Sequence, residues 1–239
     1  MTAALELAVS RRIGEFDLDV AFKVESGISV LFGPSGAGKS LTLSLIAGLT
    51  RPDTGTIAIN GNVVTDCARR TYVSTQKRRI GMVFQDGLLL PHRSVLDNVA
   101  LAVRQAKGRR ARRAIAQSWL EQVGAEAFAH RRPGSLSGGQ RQRAALARGL
   151  AGDPALVLLD EPLSALDLEV RQELRKLIRG VITSSNVPAV LVTHDRDEAI
   201  ELGDVIIGYR AGRVTGSELV ERPAPTEPGP TSPGDTGPA

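Results

Sequence analysis

The stretch Gly33-Pro34-Ser35-Gly36-Ala37-Gly38-Lys39-Ser40 decides the fold of this chain. It fits the pattern G-x-x-x-x-G-K-[ST], in which the backbone N–H groups of a glycine-rich loop surround phosphates. The apolar run Ile28–Phe32 precedes the loop, and a helical pattern over Leu41–Ile46 follows it. A phosphate-binding loop requires this strand–loop–helix context, because the helix N-terminus adds partial positive charge. We therefore expect Lys39 to reach the β- and γ-phosphates of a nucleotide and Ser40 to bind Mg²⁺.

A second strand ends in two acidic residues, Asp160 and Glu161, after the apolar run Leu156–Leu159. The carboxyl ends of parallel strands meet at one edge of a sheet, so these acids should lie beside the phosphate loop. Asp160 would hold Mg²⁺ directly or through water, and Glu161 would orient and deprotonate an attacking water. The alternative is a pair of solvated acids, which would be preferred if no phosphate loop were present.

The segment Leu136-Ser137-Gly138-Gly139-Gln140 begins a strong helical pattern. Ser137 is a good N-cap, and its spacing to Gln140 is that of a capping box. The alternative is a capped helix with no further role, but free N–H groups at a helix start also bind anions. The segment resembles the signature of the ATP-binding cassette (ABC) ATPases. That resemblance implies a homodimer in which Leu136–Gln140 contacts the γ-phosphate of ATP held by the other subunit.

The resemblance extends to three further positions, which match the family in order and placement. Gln85 is similar to the glutamine that senses Mg²⁺ and the attacking water, and His194 to the histidine at the γ-phosphate. Ser164-Ala165-Leu166-Asp167 resembles the loop that crosses the dimer interface, which brings Asp167 into the nucleotide site. A single histidine at a strand end is usually structural, so only the combined pattern favours function.

The fold class implied is α/β, with a P-loop NTPase core of the ABC type, a parallel sheet, N-terminal antiparallel strands and an inserted helical subdomain. Helices are predicted at Val95–Val103, Arg109–Val123, Gly138–Leu150 and Leu168–Ile182. Strands are predicted at Leu5–Val9, Phe16–Val24, Thr56–Ile59, Val63-Val64, Ile80–Phe84, Ala189–Thr193 and Val205–Tyr209, with a hairpin turn at Asn60-Gly61.

The ATPase domain is predicted to span residues 1–221, with the helical subdomain at about 87–150. Residues 222–239 contain six prolines among Gly, Thr and Ser, a composition that cannot pack a core, so we expect a disordered tail.

One feature departs from the family, which usually stacks adenine on an aromatic residue between the first two strands. The turn predicted at Ser10–Gly14 contains none, and Phe16 is assigned to a strand. Guanidinium stacking by Arg11 or Arg12 is the alternative that this sequence offers.

Within the family, the stretches Gly48–Gly61, Lys77–Asp86 and Leu89–His92 are most similar to the ATPase subunit of molybdate importers. Sulfate, iron and polyamine importers share parts of them, and many molybdate ATPases carry a C-terminal oxyanion-binding domain where this chain has its proline-rich tail. The resemblance implies transmembrane permease subunits, a periplasmic or lipid-anchored substrate-binding protein, and a peripheral location at the cytoplasmic face of the membrane. Alternatives are a soluble ABC ATPase of DNA repair or translation and a non-hydrolysing regulator.

Composition limits the remaining possibilities. The net charge is +4 and aromatic residues make up 3%, which is poor for stacking on nucleic acid, so no nucleic-acid partner is expected. Cys67 is the single cysteine, which excludes an internal disulfide and suits a reducing cytosol. Neither a secretion signal nor an apolar run long enough to span a membrane is visible. The basic runs Lys77–Arg79 and Arg109–Arg113 are expected to be solvated, or alternatively to face nucleotide or an anionic membrane.

Overall fold

One mixed sheet organises residues 2–221, the part of the chain that the computed structural model describes. Its eleven strands in that part are β1 Leu5–Ile13, β2 Phe16–Val24, β3 Ile28–Phe32, β4 Thr54–Ile59, β5 Asn62–Asp66, β6 Thr71–Tyr72, β7 Ile80–Val83, β8 Leu156–Asp160, β9 Ala189–Thr193, β10 Val205–Arg210 and β11 Arg213–Leu219. The α-helices are α1 Lys39–Ala47, α2 Val95–Ala102, α3 Arg109–Gln122, α4 Gly138–Leu150, α5 Leu168–Ser185 and α6 Arg196–Leu202.

The parallel half of the sheet has the order β10-β3-β9-β8-β7. Alternate residues of its central strands face opposite layers: Val157 and Leu159 of β8 pack with the helices that follow β7, whereas Leu156 and Leu158 pack with α1 and the N-terminal strands. Both faces are therefore buried, which explains why these strands are continuous apolar runs in the sequence.

The antiparallel half has the order β6-β5-β4-β1-β2, and β11 joins it to the parallel half. The predicted Asn-Gly hairpin is confirmed, since Asn60 has φ 47° and Gly61 has φ 73° between β4 and β5. The predicted end of the first strand at Val9 was wrong. Strand β1 continues to Ile13 because Ser10–Ile13 pair with the start of β2, which leaves only a tight turn at Gly14.

Helices α2, α3 and α4 lie between β7 and β8 in the chain and pack on one another through buried residues such as Val99, Leu120 and Leu146. Their bounds agree with the predicted helices to within one residue. No helix among residues 2–221 combines the length and apolarity needed to cross a membrane.

Arg78 contradicts the prediction that the run Lys77–Arg79 is solvated. It is 5% exposed, and its guanidinium donates to the carbonyls of Leu45 and Ile46 at 3.0 and 2.8 Å and to the Thr65 hydroxyl at 2.8 Å. Since the last carbonyls of a helix have no partner within it, Arg78 caps α1 and ties it to β5.

Helix α6 and strand β11 were not predicted. The polar, charged sequences Arg196–Leu202 and Arg213–Leu219 are short and carry no clear periodicity. The predicted tail at 222–239 lies outside the described residues, and the domain assignment 1–221 stays a prediction.

Candidate active site

The phosphate loop connects β3 to α1 and follows the local sequence closely. Pro34, Ser35 and Gly36 are exposed, and the Ala37 N–H donates to the Pro34 carbonyl at 3.2 Å. Gly38 is the N-cap of α1 with φ 100°, a conformation that favours glycine. A Cβ at this position would also lie 2.6 Å from Leu18 Cδ1, so a larger residue would push the loop from the hairpin beneath it.

Lys39 is 4% exposed and lies under the loop. Its ammonium group donates to the Gly33 and Pro34 carbonyls at 2.7 and 2.9 Å. Burial lowers the pKa of Lys39, and the charges of Glu161 and Asp160 oppose that effect. A buried ammonium whose partners are carbonyl oxygens, beside a helix N-terminus, fits a polyphosphate ligand.

Ser40 and Asp160 meet at the carboxyl ends of the strands, although they lie 120 positions apart in the chain. The Ser40 hydroxyl donates to Asp160 Oδ1 at 2.8 Å. Burial raises the pKa of Asp160, and the Glu161 charge adds to the rise, while the Ser40 hydrogen bond and Lys39 oppose it. A hydroxyl and a carboxylate are the hard oxygen ligands that Mg²⁺ takes together with phosphate oxygens, so this pair fits the ion.

Glu161 and His194 follow neighbouring strands, β8 and β9. The register pairs Asp160 with Val192, so the residues after both strands lie side by side. His194 Nδ1 is 3.2 Å from Glu161 Oε1, with the His194 side chain half exposed. The predicted catalytic acid and histidine are thus in direct contact.

The backbone of Glu161 is in the left-handed region, with φ 44°. Its N–H donates to the Val192 carbonyl at 3.0 Å, and its carbonyl accepts from the Ser164 hydroxyl at 3.0 Å. A non-glycine residue held at positive φ costs free energy and tends to occur at functional sites. Here it turns the chain sharply after β8 and aims the carboxylate across to β9.

The signature segment forms the capped start of α4, as predicted. Gln140 N–H donates to Ser137 Oγ at 3.3 Å, and Ser137 N–H donates to Gln140 Oε1 at 3.0 Å. Leu136 is buried, and Gly138 and Gly139 open the helix. Gly139 is required by close packing, because a Cβ there would lie 2.7 Å from Val170 Cγ1 of α5.

Two predicted groups do not meet the phosphate loop within this chain. Across residues 2–221, no hydrogen bond or ion pair joins Leu136–Gln140 or Asp167 to Gly33–Ser40. Asp167 is exposed and is the N-cap of α5, without a side-chain capping bond. The signature segment and the phosphate loop therefore do not form one site through direct bonds within the described part of a single chain.

Gln85 also stays apart from the predicted metal ligands. It lines a cavity of about 300 Å³ together with Gly138, Pro162 and Leu166. In the described part of the chain it makes no hydrogen bond to Ser40 or Asp160. Gln85 follows the end of β7, and the cavity that it lines also borders Gly138 at the start of α4.

The arginines suggested for adenine contact are engaged elsewhere. Arg11 forms an ion pair with Asp53. The Arg12 guanidinium donates through Nε to the Gly14 carbonyl at 3.3 Å and lies 3.6 Å from Asp17 Oδ1. Phe16, in contrast, lies over the loop: a Cβ on Gly38 would be 3.1 Å from its ring. The aromatic residue beside the phosphate loop is therefore at the start of β2.

A charged cluster behind His194 was missed by sequence reasoning. Arg171 and Arg175 of α5 donate to Asp195 Oδ2 at 3.4 and 3.3 Å, and Asp195 caps α6 by accepting from the Glu198 N–H at 3.0 Å. Arg171 also donates to the Leu166 carbonyl at 3.2 Å. The only available signal was the acid directly after His194.

Comparison with known proteins shows the family. A family model described as "ABC transporter" matches residues 18–164. The chain belongs to the ABC transporter family. This match includes the phosphate loop, the signature segment and both acids at the end of β8.

Two kinds of ABC importer protein are similar to the chain at nearly equal identity. The molybdenum import ATP-binding protein ModC of Mycobacterium tuberculosis is 44% identical over 203 residues, covering 82% of this chain and 55% of that protein. The sulfate/thiosulfate import ATP-binding protein CysA of Mycobacterium bovis is 47% identical over 219 residues, covering 90% and 61%. The chain thus spans little more than half the length of these relatives.

Solved ABC structures share the architecture. An ATP-binding cassette dimer in a post-hydrolysis state, bound to ADP and phosphate, has a TM-score of 0.75 and 32% identity, covering 91% of this chain and 99% of that one. The predicted ABC-type fold class is confirmed. A component of a clostridial cbiONQ transporter, at 23% identity and a TM-score of 0.79, shares the fold.

Proposed function

We propose that this chain is the ATP-hydrolysing subunit of an ABC importer, which converts ATP and water to ADP and phosphate. The observation that supports the proposal is one constellation at the carboxyl ends of β3, β8 and β9. There a buried lysine, a hydroxyl–carboxylate pair and a glutamate–histidine contact lie around one phosphate loop. No other arrangement in the described residues provides both polyphosphate binding and a base.

Binding of ATP uses the loop Gly33–Ser40. Its backbone N–H groups and the N-terminus of α1 receive the phosphates, and Lys39 exchanges its carbonyl partners for β- and γ-phosphate oxygens. Ser40 and Asp160 would hold Mg²⁺, which supplies charge neutralisation at the phosphates, and Gln85 would approach the ion when the helical part moves towards the sheet.

Hydrolysis requires a base beside the γ-phosphate. Glu161 accepts a proton from water as the water oxygen forms a bond to the γ-phosphorus and the bond to the bridging oxygen breaks. The electron pair of the broken bond stays on ADP. His194, in contact with Glu161, orients the carboxylate and donates towards the transferred phosphate.

The working unit is a homodimer with two shared sites. Within residues 2–221, Ser137 and the first N–H groups of α4 make no bond to residues 33–40 of their own chain, and in the dimer they would complete the loop of the second copy by contacting its γ-phosphate. Asp167 lies beside the same interface, at the start of α5. Closure of the dimer therefore depends on bound ATP.

A groove between the sheet and the helices suits a permease segment. It has a volume of about 340 Å³ and apolar walls from Met82, Leu90 and Leu101, with Arg79, Arg104 and Arg148 around them. Movement of β7 and α4 on ATP binding would be transmitted here to the membrane subunits. A substrate-binding protein would deliver cargo on the other side, which places this chain peripherally at the cytoplasmic face.

The proposed cargo is molybdate or tungstate. Local similarity at Gly48–Gly61 and Lys77–His92 and the likeness to ModC support it, and the likeness to CysA makes sulfate the second candidate. The test is the ATPase rate of the complex with permease and binding protein. Stimulation by molybdate above that by sulfate is expected, and stimulation by sulfate alone would reassign the cargo.

The substitution Glu161→Gln tests the enzymatic proposal. The amide has the size of the carboxylate but cannot accept the proton, so turnover should fall by roughly 100- to 10,000-fold while ATP affinity is retained. Glu169→Gln, an exposed change in α5, is the matched control and should hydrolyse normally. Wild-type turnover in Glu161→Gln would exclude this residue as the base.

A further inference from the structure

An arginine-lined pocket lies on the helical part of the molecule, formed by α2 and the N-terminal turn of α3. Its volume is about 370 Å³. We call it the arginine pocket; its charged lining residues are Arg93, Asp97, Arg109, Arg112 and Arg113. None of these groups belongs to the nucleotide site or to the groove proposed for the permease.

The positive charge of the arginine pocket is mostly unneutralised. Asp97 is the one acid among its described lining residues, and it forms an ion pair with Arg113. Arg113 donates to Asp97 Oδ1 from Nε at 2.9 Å and from Nη2 at 2.7 Å. Arg109 reaches the same oxygen only at 4.0 Å. Four guanidinium groups against one carboxylate leave three positive charges facing one cavity.

The partners of the other two arginines do not reduce this charge. Arg112 donates through Nε to the Ala106 carbonyl at 3.1 Å, a neutral acceptor. The Arg93 side chain has no ion pair with any residue in the range 2–221. Burial acts to raise the pKa of Asp97, but the bonds from Arg113 and Ser94 hold this pKa below its usual range. The negative charge of Asp97 is therefore already paired with Arg113.

The helix geometry adds a further positive contribution. Helix α3 has fourteen residues, and its N-cap is Gly108, which offers no side chain to the first backbone N–H groups. This helix start lies at the wall of the arginine pocket, because Gly108 and Arg109 both line it. Free N–H groups and guanidinium donors at one point form a receptor for an oxyanion with several acceptor oxygens.

We propose that the arginine pocket binds a phosphate group, carried by an anionic lipid headgroup or by a soluble phosphate ester. This goes beyond the proposed function, since ATP hydrolysis needs none of these residues. Guanidinium groups bind phosphate oxygens in pairs and are weakly hydrated, so converging arginines suit this ligand better than a halide or a single carboxylate.

The surroundings of the arginine pocket give the lipid source a structural basis. Leu101, which is 47% exposed, lines both the arginine pocket and the groove proposed for the permease. An exposed leucine beside clustered arginines is the pattern of a surface that meets lipid headgroups. If the groove receives a membrane subunit, the arginine pocket lies next to the same membrane-facing contact.

The test uses two double variants with equal charge. Arg93→Gln/Arg109→Gln removes two guanidinium groups from the arginine pocket and leaves the Arg113–Asp97 pair intact. Arg110→Gln/Arg132→Gln is the control, because both residues are exposed and neither lines the pocket. Thermal melting of both proteins establishes that the fold is retained.

The first measurement is co-flotation of the full chain with phosphatidylcholine vesicles, with and without phosphatidylglycerol. Wild type should bind the anionic vesicles and not the neutral ones. Each guanidinium near such a surface contributes roughly fivefold in affinity, so the pocket variant should lose on the order of 30-fold. The control should lose clearly less, because its arginines do not converge.

The second measurement is calorimetric titration with inorganic pyrophosphate, on protein saturated with Mg-ADP so that the phosphate loop is filled. Binding that is lost only in the pocket variant, without selective vesicle binding, assigns the site to a soluble phosphate ester. Selective loss in flotation assigns it to lipid. If the two variants behave equally in both measurements, the proposal is overturned. That outcome would favour an acidic protein segment as the partner of these arginines.

Discussion

Phe16 is the residue at which structure changes the interpretation of the sequence most directly. Strand periodicity assigned it to β2, and the expected aromatic between the first two strands was missing. Because the hairpin turn is tight, the first residue of β2 projects over Gly38 and the phosphate loop. An aromatic side chain beside the loop is available to the base of a bound nucleotide.

We therefore predict that Phe16→Leu weakens ATP binding by about 1 kcal/mol, or roughly fivefold, because stacking on the adenine ring is lost while the apolar cover of Gly38 remains. Affinity for pyrophosphate should not change, since it has no base. Ile13→Leu, at the opposite position of the hairpin turn, is the control. Equal ATP affinity of the two variants and wild type, measured by titration, would remove Phe16 from the nucleotide site.

At the scale of single elements, α5 and α6 hold the segment that carries His194. The Asp195 side chain connects Arg171 and Arg175 of α5 to the N-terminus of α6, and Arg171 reaches back to the loop before α5. Arg171 thus connects that loop directly to Asp195, the residue next to His194. The second acid of this cluster, Glu198, is 3% exposed, and only its Oε2 has a partner, the Thr193 hydroxyl at 3.0 Å.

Burial raises the pKa of Glu198 to about 7, with Thr193, Arg175 and Arg171 opposing and Asp195 reinforcing the rise. Between about pH 4.5 and about pH 7, Glu198 therefore keeps its proton in the folded state and has lost it in the unfolded state. This contribution to the free energy of unfolding is complete below about pH 4.5 and is lost as the pH rises to about 7. Its size is about 3 kcal/mol.

We predict that the free energy of unfolding of Glu198→Gln does not fall in this way as the pH rises to about 7, because its neutral amide resembles the protonated acid. Relative to wild type, the variant should gain on the order of 2–3 kcal/mol at about pH 8 and little at about pH 4.5. Asp197→Asn, an exposed change on the same helix, should follow the wild-type pH dependence. Urea unfolding at several pH values measures this, and parallel curves for Glu198→Gln and wild type would contradict the assignment.

At the scale of the whole molecule, the proposed homodimer places the two halves of each nucleotide site on different copies of the chain. The loop is at the carboxyl edge of the sheet, whereas α4 presents Ser137 at an exposed helix start without a bond to its own loop. In this proposal one chain carries every proposed catalytic group, and a two-fold interface brings the loop of one copy to the signature segment of the other.

This arrangement predicts complementation. Ser137→Arg should bind ATP as an isolated chain but block closure, because the cation occupies the γ-phosphate position of the partner's site. Lys39→Ala should lose ATP affinity by a few kcal/mol, since the polyphosphate loses its buried ammonium partner. In a mixed dimer one site carries both changes and the other carries neither, so mixing should restore part of the ATPase activity. Full activity of Ser137→Arg alone would exclude the shared site.

The sequence alone determined the local features of this protein. The phosphate loop, the capped α4 and the Asn-Gly hairpin depend on φ and ψ preferences and hydrogen bonds within a few residues, and each was found at its predicted position. The buried strands were equally visible, because both faces of a parallel sheet are covered and the runs are apolar throughout.

Only the tertiary structure decided which distant groups meet. The crossovers that place β9 between β3 and β8 bring Ser40 to Asp160 and Glu161 to His194, and strand order is not contained in any local periodicity. The same holds for Arg78, whose charge is buried because the last carbonyls of α1 need donors from outside the helix. It holds also for the arginine pocket, since packing of α2 on α3 turns a basic run into one cavity. The conformation of a loop, cap or turn depends on residues that are neighbours in the sequence. Which distant side chains come into contact depends on how the hydrophobic faces of the helices and strands pack together.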